Sequence, residues 1–265
     1  KFSEAVVVTT AGGTPKITLE TGTTDRSVNY TSGSESDTLV FNYTVQNGDV
    51  ASDLDYTGTT ALALNGGTIK DIAGNAATLT LKAVGATGSL GNAKALVVDG
   101  ALPTISTVAA NAGTKTITLT MSENVSGSPA NGDFSVLVGS ASNAVTNVAI
   151  SSKSVVLTVT NFIANDATVT VGYTQSSSDS AKMKDTAGNA VATLSSAKSV
   201  TVTNDTAVPT VSSVTSSTSD GTFKVGDTVA VQVKFSEAVV VTTAGGTPKI
   251  TLETGTTDRS VNYTS

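Results

Sequence analysis

Apolar and polar side chains alternate along most of this chain with a period of two. Thr116-Ile117-Thr118-Leu119-Thr120-Met121 and Val229-Ala230-Val231-Gln232-Val233-Lys234-Phe235 each put apolar groups on one face, the pattern of a half-buried strand. Thr38-Leu39-Val40-Phe41-Asn42-Tyr43-Thr44-Val45, Val155-Val156-Leu157-Thr158-Val159 and Val169-Thr170-Val171-Gly172-Tyr173 behave alike. No segment carries a convincing helical period. Clusters of Gly, Asn, Asp and Ser separate the runs at the spacing of a β-sandwich.

On that strand pattern lies an exact repeat. Residues 1–32 recur unchanged as residues 234–265. Identity over such a length means recent duplication, and the chain reads as a window on a longer tandem array, a form of organisation suited to length, spacing and valency. Two linker-like stretches, Val97 to Thr104 and Val202 to Thr210, each join a strand end, an acidic residue and a Pro-Thr that opens the next strand. They predict a complete sandwich over 101–205. Residues 1–100 and 206–265 are then pieces of a second type, the first lacking its opening strands and the second its closing ones. The predicted fold class is all-β, with tandem immunoglobulin-like sandwiches in a linear array. The two 32-residue copies are expected to share one strand conformation, and the incomplete ends to be prone to strand exchange or aggregation.

Both sandwich types carry the same acidic motifs in the same order. A linker Asp precedes Pro-Thr (Asp99, Asp205), a Ser-Glu pair closes the second strand (Glu123, Glu237, and Glu4 in the first copy), and Lys-Asp-x-Ala-Gly-Asn supplies Asp185 with Asn189 or Asp71 with Asn75. Antiparallel chain reversal brings all three to the pole where the chain enters the sandwich. From the preceding domain, Asp53 and Asp55 (with Asp49 nearby) are expected to reach the first junction, and Asp166, beside Asn165, the second. Carboxylate and amide oxygens converging without His or Cys suit a hard cation, and Ca2+ tolerates such irregular coordination. The same Asp-x-x-Gly-Asn string also makes a tight turn by itself, and Lys70 or Lys184 beside the loop Asp can provide a surface ion pair instead. Asp220 and Asp227 read as ordinary turn residues.

Composition narrows the function. Charged residues make up 14% and aromatics 4%, with no Cys and no His, and the net charge is −6. Lacking disulfides, the array needs another stiffener. An acidic surface excludes nucleic acid as a partner, and no apolar run is long enough to span a membrane. Without His or Cys the common nucleophilic and zinc sites cannot be assembled. The i, i+2 spacing of Asp53 and Asp55, with no aromatic cleft beside them, suits ion binding better than glycosidase chemistry. The chain is therefore not expected to be an enzyme. Tyr43 and Tyr173 sit in alternating strands and are expected in the core.

The segments Phe-Ser-Glu-x-Val, Gly246 to Gly255, Asn65 to Asn75 and Val-Asp-Gly-x-x-Pro-Thr together resemble the Ig-like tandem repeats of giant bacterial surface proteins and adhesins, including SWM-type repeats. The resemblance implies an extracellular, cell-surface stalk, commonly thought to be rigidified by calcium. It leaves two readings open. One is a structural extender whose partners are neighbouring copies of the repeat, and the other is an adhesive module that binds cell-surface glycans or matrix. The absence of Trp, and only five Tyr, weigh against a sugar-stacking surface.

Overall fold

The computed structural model describes residues 1–264 and is nearly all β. It divides into two compact units, Lys1–Val202 and Thr203–Ser265. The first unit holds two separate apolar cores, one drawn from Leu19 to Val98 and the other from Ile105 to Val202.

The second of these cores is the larger. Strands Ile105–Ala110, Thr116–Met121, Ser154–Val159 and Val145–Ser151 form one antiparallel sheet, and Ala141–Ser142, Phe134–Val138, Thr168–Tyr173 and Lys198–Thr201 form the other. Each sheet keeps the order expected of an immunoglobulin-type sandwich. Alternation buries Ile117, Leu119 and Met121 from one strand against Val169, Val171 and Tyr173 from the other sheet. The predicted strands over 116–121, 155–159 and 169–173 are all present. A 24-residue connection, 174–197, precedes the last strand; Met183 and Val191 from it are buried, and it turns through the Asp185 loop.

The first core is thinner. A four-stranded sheet runs Val40–Phe41, Arg26–Ser32, Lys16–Leu19, Leu62–Ala63, accompanied by the pairs Val6–Thr9 with Thr68–Asp71 and Val50–Ala51 with Val98–Asp99. Only two residues of the predicted 38–45 strand are paired. Tyr173 is buried as expected, whereas Tyr43 lies outside a strand, partly exposed, and packs against the edge of this core. A short helix, Leu90–Ala93, capped by the Ser89 hydroxyl, has no counterpart in the sequence reading; four residues are too few to show a period.

The second unit contains two hairpins, Val211–Ser216 with Val231–Phe235 and Lys249–Leu252 with Arg259–Asn262. Here the expectation that the identical copies fold alike holds only in part. Lys249–Leu252 and Arg259–Asn262 reproduce the strands at Lys16–Leu19 and Arg26–Ser32. Residues 239–242 form no strand, although the same sequence does so at Val6–Thr9. The difference is the partner: Val6–Thr9 is held by Thr68–Asp71, and no such strand reaches the second copy among the described residues. No helix of the described residues is long and apolar enough to cross a membrane.

Candidate metal centre

The three acidic motifs are built by local hydrogen bonds that recur wherever the motif does. Strands Ile105–Ala110 and Thr116–Met121 pair with Ser106 as an extra residue, and Val211–Ser216 with Val231–Phe235 pair with Ser212 as the extra residue. The bulge bends each strand pair at the same place. Beyond it, the Ser122 N–H donates to the Thr104 carbonyl (2.8 Å) and the Thr104 N–H to the Ser122 hydroxyl (2.9 Å). Ser236 and Thr210 repeat both bonds at 2.8 and 3.0 Å. The Ser of Ser-Glu and the Thr of Pro-Thr thus clamp each other, and the Glu follows at a fixed place.

The Lys-Asp-x-Ala-Gly-Asn loops are equally alike. In both, the Asp N–H donates to the Asn carbonyl, the Asn N–H and side-chain amide donate to the Asp carboxylate, and the Gly has positive φ (94° at Gly74, 98° at Gly188). The turn reading of this motif is therefore correct as far as it goes. The linker Asp closes a small turn of its own: Asp99 accepts from the Ala101 N–H at 3.2 Å and Asp205 from the Ala207 N–H at 2.9 Å.

In the middle sandwich the pieces meet. Carboxylate oxygens of Asp99, Glu123 and Asp185 lie within 4.8 Å of one another. Asp185 is buried, and Asp99 and Glu123 are half-buried. Burial, and then the charges of Asp185 and Asp99, push the Glu123 carboxyl above the usual carboxylate range. No hydrogen-bond donor is set on Glu123 among the described residues. Lys184 does not compensate the cluster, because its ammonium pairs with Asp179 at 2.6 Å. Lys153, whose ammonium donates to the Ser122 carbonyl, gives Glu123 partial relief. Asn189 joins linker to loop, its amide donating to the Asp99 carbonyl (2.9 Å) and to the Asp185 carboxylate (2.8 Å).

The linker is also gripped from the first sandwich. The Gly100 N–H donates to the Asp49 carbonyl (2.7 Å), and the Gly48 N–H to the Gly100 carbonyl (2.9 Å). An open cleft of about 710 Å3 beside this point is lined by Val45, Asn47, Val97, Leu102, Thr186 and Asn189, among others. A cation held by the three carboxylates would fix the linker at the place where both sandwiches already hold it.

The other expected ligands are placed differently. Asp53 and Asp55 do not join the Asp99 group. Asp55 is buried and accepts from the N–H groups of Tyr56, Gly85 and Leu90, while Asp53 accepts from the Leu96 N–H. Both organise the loop around the short helix. Asp71 and Asn75 form their turn, with Val6 opposite Asp71 across the strand pair. Glu4, two residues before Val6, is exposed, and no third carboxylate completes a cluster there among the described residues. In the second unit Asp205 and Glu237 are close neighbours, and burial followed by Asp205 raises the Glu237 carboxyl. Asp166 lies in an exposed turn with positive φ (58°). Asp227 is a turn residue as expected, paired with Lys224.

One charged site escaped the sequence reading. Asp49, 1% exposed, receives the Arg26 guanidinium at 2.6 and 2.7 Å, the Tyr43 hydroxyl at 2.5 Å and the Gln46 N–H at 2.9 Å. The Arg26 hydrogen bond lowers the Asp49 carboxyl to about 2, and burial followed by Asp49 raises the Tyr43 hydroxyl to about 12. No local motif links Arg26 to Asp49, which is why spacing alone did not reveal them.

Residues 124–178 match the SWM_repeat family, described as "Putative flagellar system-associated repeat". The match starts directly after Glu123 and runs past Tyr173. No curated protein matches the chain. Among solved structures, the N-terminal part of the bacterial S-layer protein SbsC aligns at 20% identity and a TM-score of 0.33, over 61% of this chain and 37% of that one. The S-layer protein rSbsC(31-844) aligns at 20% identity and 0.32, over 61% and 22%. The chain thus spans little more than a third and about a fifth of the solved chains it matches. The family match lies within the middle sandwich and covers about a fifth of the chain.

Proposed function

We propose that the chain is a non-catalytic structural segment of a secreted bacterial surface protein, a tandem repeat that spaces other parts of the molecule. In this reading a calcium ion held by Asp99, Glu123 and Asp185 stiffens the linker between the first two sandwiches. The observation that carries it is the meeting of three carboxylates, one each from linker, strand end and loop, at a junction already hydrogen-bonded on both sides. The donors fit: hard oxygens, two of them fixed by backbone bonds and Glu123 left without a donor. A single ammonium does not balance three converging charges. Surface location is supported by the exact repeat, by the match over 124–178 and by the resemblance of the motif set to surface-protein repeats. The adhesive alternative is the weaker one: Tyr56 and Tyr173 are buried, the Tyr43 hydroxyl is spent on Asp49, and the exposed aromatics, Phe162, Phe223 and Tyr263, are scattered along the sequence.

Extracellular modules bind calcium at about 10⁻⁴–10⁻³ M, and ligand at ten times Kd adds about 1.4 kcal/mol to the folded state. The middle sandwich should therefore unfold later in 10 mM Ca2+ than in EDTA. Glu123→Gln should remove that difference and raise the unfolding midpoint in EDTA, because it takes away one of three converging charges and Glu123 makes no hydrogen bond to lose. Asp71→Asn, at the related turn, should leave it intact. Superimposable unfolding curves in calcium and EDTA for the unaltered chain would refute the calcium reading.

A further inference from the structure

We propose that the joint between the first and middle sandwiches is preset by the chain itself. Asp99 and Gly100 are held by both sandwiches at once, so one angle between them is chosen before any cation binds. The inference rests on the spacer reading and not on calcium. Neighbouring domains of one chain move against each other unless a large apolar interface prevents it. No such interface exists here: two open clefts adjoin the linker, and Asn47 and Leu102 line both. Stiffness has to come from the linker's own bonds.

Those bonds overlap on a single residue. Asp99 lies opposite Val50 as the last residue of the strand Val98–Asp99, and its carbonyl receives the Asn189 amide of the middle sandwich at 2.9 Å. Gly100 is bonded through both backbone groups to the turn at residues 46–49. Its N–H donates to the Asp49 carbonyl (2.7 Å), and its carbonyl accepts from the Gly48 N–H (2.9 Å). It is buried, and a Cβ there would collide with the Gln46 carbonyl and crowd Val45. Only glycine lets the linker lie this close to the turn. The turn is itself fixed by the Asp49 carboxylate, which takes the Gln46 N–H and the Arg26 guanidinium. Further along, the Ala101 N–H donates to the Asp99 carboxylate (3.2 Å), and the Thr104 N–H donates to the Ser122 hydroxyl. Pro103 between them is buried, with its φ set by the ring. No freely rotating stretch separates the two grips, because they meet on Asp99. Asn189 is thereby a positioning residue. Its counterpart Asn75 makes its bonds within its own loop.

The chain has no cysteine, so a pair can be introduced for labelling. The full-length chain carrying Thr57→Cys and Thr116→Cys, one exposed position on each sandwich, is spin-labelled. The distribution of label-to-label distances is measured by pulsed electron paramagnetic resonance in EDTA. It is expected to be single and narrow. Gly100→Ala and Asn189→Ala, which release the linker from opposite sides, should each roughly double its width, and Asn75→Ala should not. Where Gly100→Ala costs the first sandwich its fold, Asn189→Ala, in a loop between strands, decides the matter. A second measurement in calcium reads the ion separately: an unaltered chain that is narrow in EDTA and unmoved by calcium supports the joint and counts against the ion. A broad distribution for the unaltered chain in EDTA, or an Asn189→Ala width no greater than that of Asn75→Ala, would overturn the proposal.

Discussion

Replacing Asp49 by Ala is expected to cost the first sandwich about 3–5 kcal/mol, the usual penalty for removing one partner of a buried ion pair. The carboxylate is 1% exposed and receives Arg26, Tyr43 and Gln46, so its loss strands a guanidinium and a phenol. The Asp49 carbonyl also holds the Gly100 N–H, so loosening here is expected to reach the linker. Arg26→Ala should be costly for the same reason. Arg259→Ala, in an identical local sequence, should change the stability of the dilute single chain by no more than about 0.5 kcal/mol, as for an ordinary surface substitution. The pair also sets a pH window. Because the folded Asp49 carboxyl is held at about 2, its contribution is full above the unfolded value of about 3.9 and is lost as pH falls towards 2. The Tyr43 hydroxyl is raised to about 12, so its contribution is full below about 10 and lost as pH rises through 12. Urea midpoints of the first sandwich against pH, for the unaltered chain and Asp49→Ala, check both limbs. An Asp49→Ala chain with an unchanged midpoint would show that the ion pair carries no weight.

The parts of the fold and site that were legible in the sequence are those fixed within a few residues or by strand alternation. The Asp185 and Asp71 turns close within five residues, so their motif specifies them. The meeting of Asp99, Glu123 and Asp185 follows from counting strand reversals, since each sits at a strand end or loop of the same pole. What escaped depended on contacts distant in sequence. Asp53 and Asp55 resembled a ligand pair by spacing, but the loop that supplies Gly85, Leu90 and Leu96 folds over them and engages their oxygens. Arg26 and Asp49 lie 23 residues apart with nothing periodic between them. The sharpest case is the repeat itself. Val6–Thr9 and residues 239–242 have one sequence and two structures, because a strand is completed by its neighbour and not by its own propensity.

Leu157→Ala is expected to destabilise the middle sandwich by about 2–5 kcal/mol, the range for truncating a large buried aliphatic side chain. Leu157 is 0% exposed and lies in the strand between Ile117 on one side and Val148 on the other. Both neighbours are held in register by their ladders, so the sheet has little freedom to collapse into the space left behind, and the larger part of the range is expected. The loss should appear as a lower denaturant midpoint with an unchanged slope, since the surface exposed on unfolding is almost the same. The calcium increment should survive it. Glu123 lies six residues along the paired strand from Ile117, about 20 Å at ~3.3 Å per residue, and separate sites contribute additively. The Leu157→Ala chain should thus unfold earlier than the unaltered chain in both EDTA and calcium and keep the same gap of about 1.4 kcal/mol at ten times Kd, whereas Glu123→Gln should close the gap by raising the EDTA midpoint and abolishing the calcium increment. A Leu157→Ala chain that loses the gap while still folding would mean that the cluster is organised through the core and not by the linker, strand end and loop that carry its carboxylates.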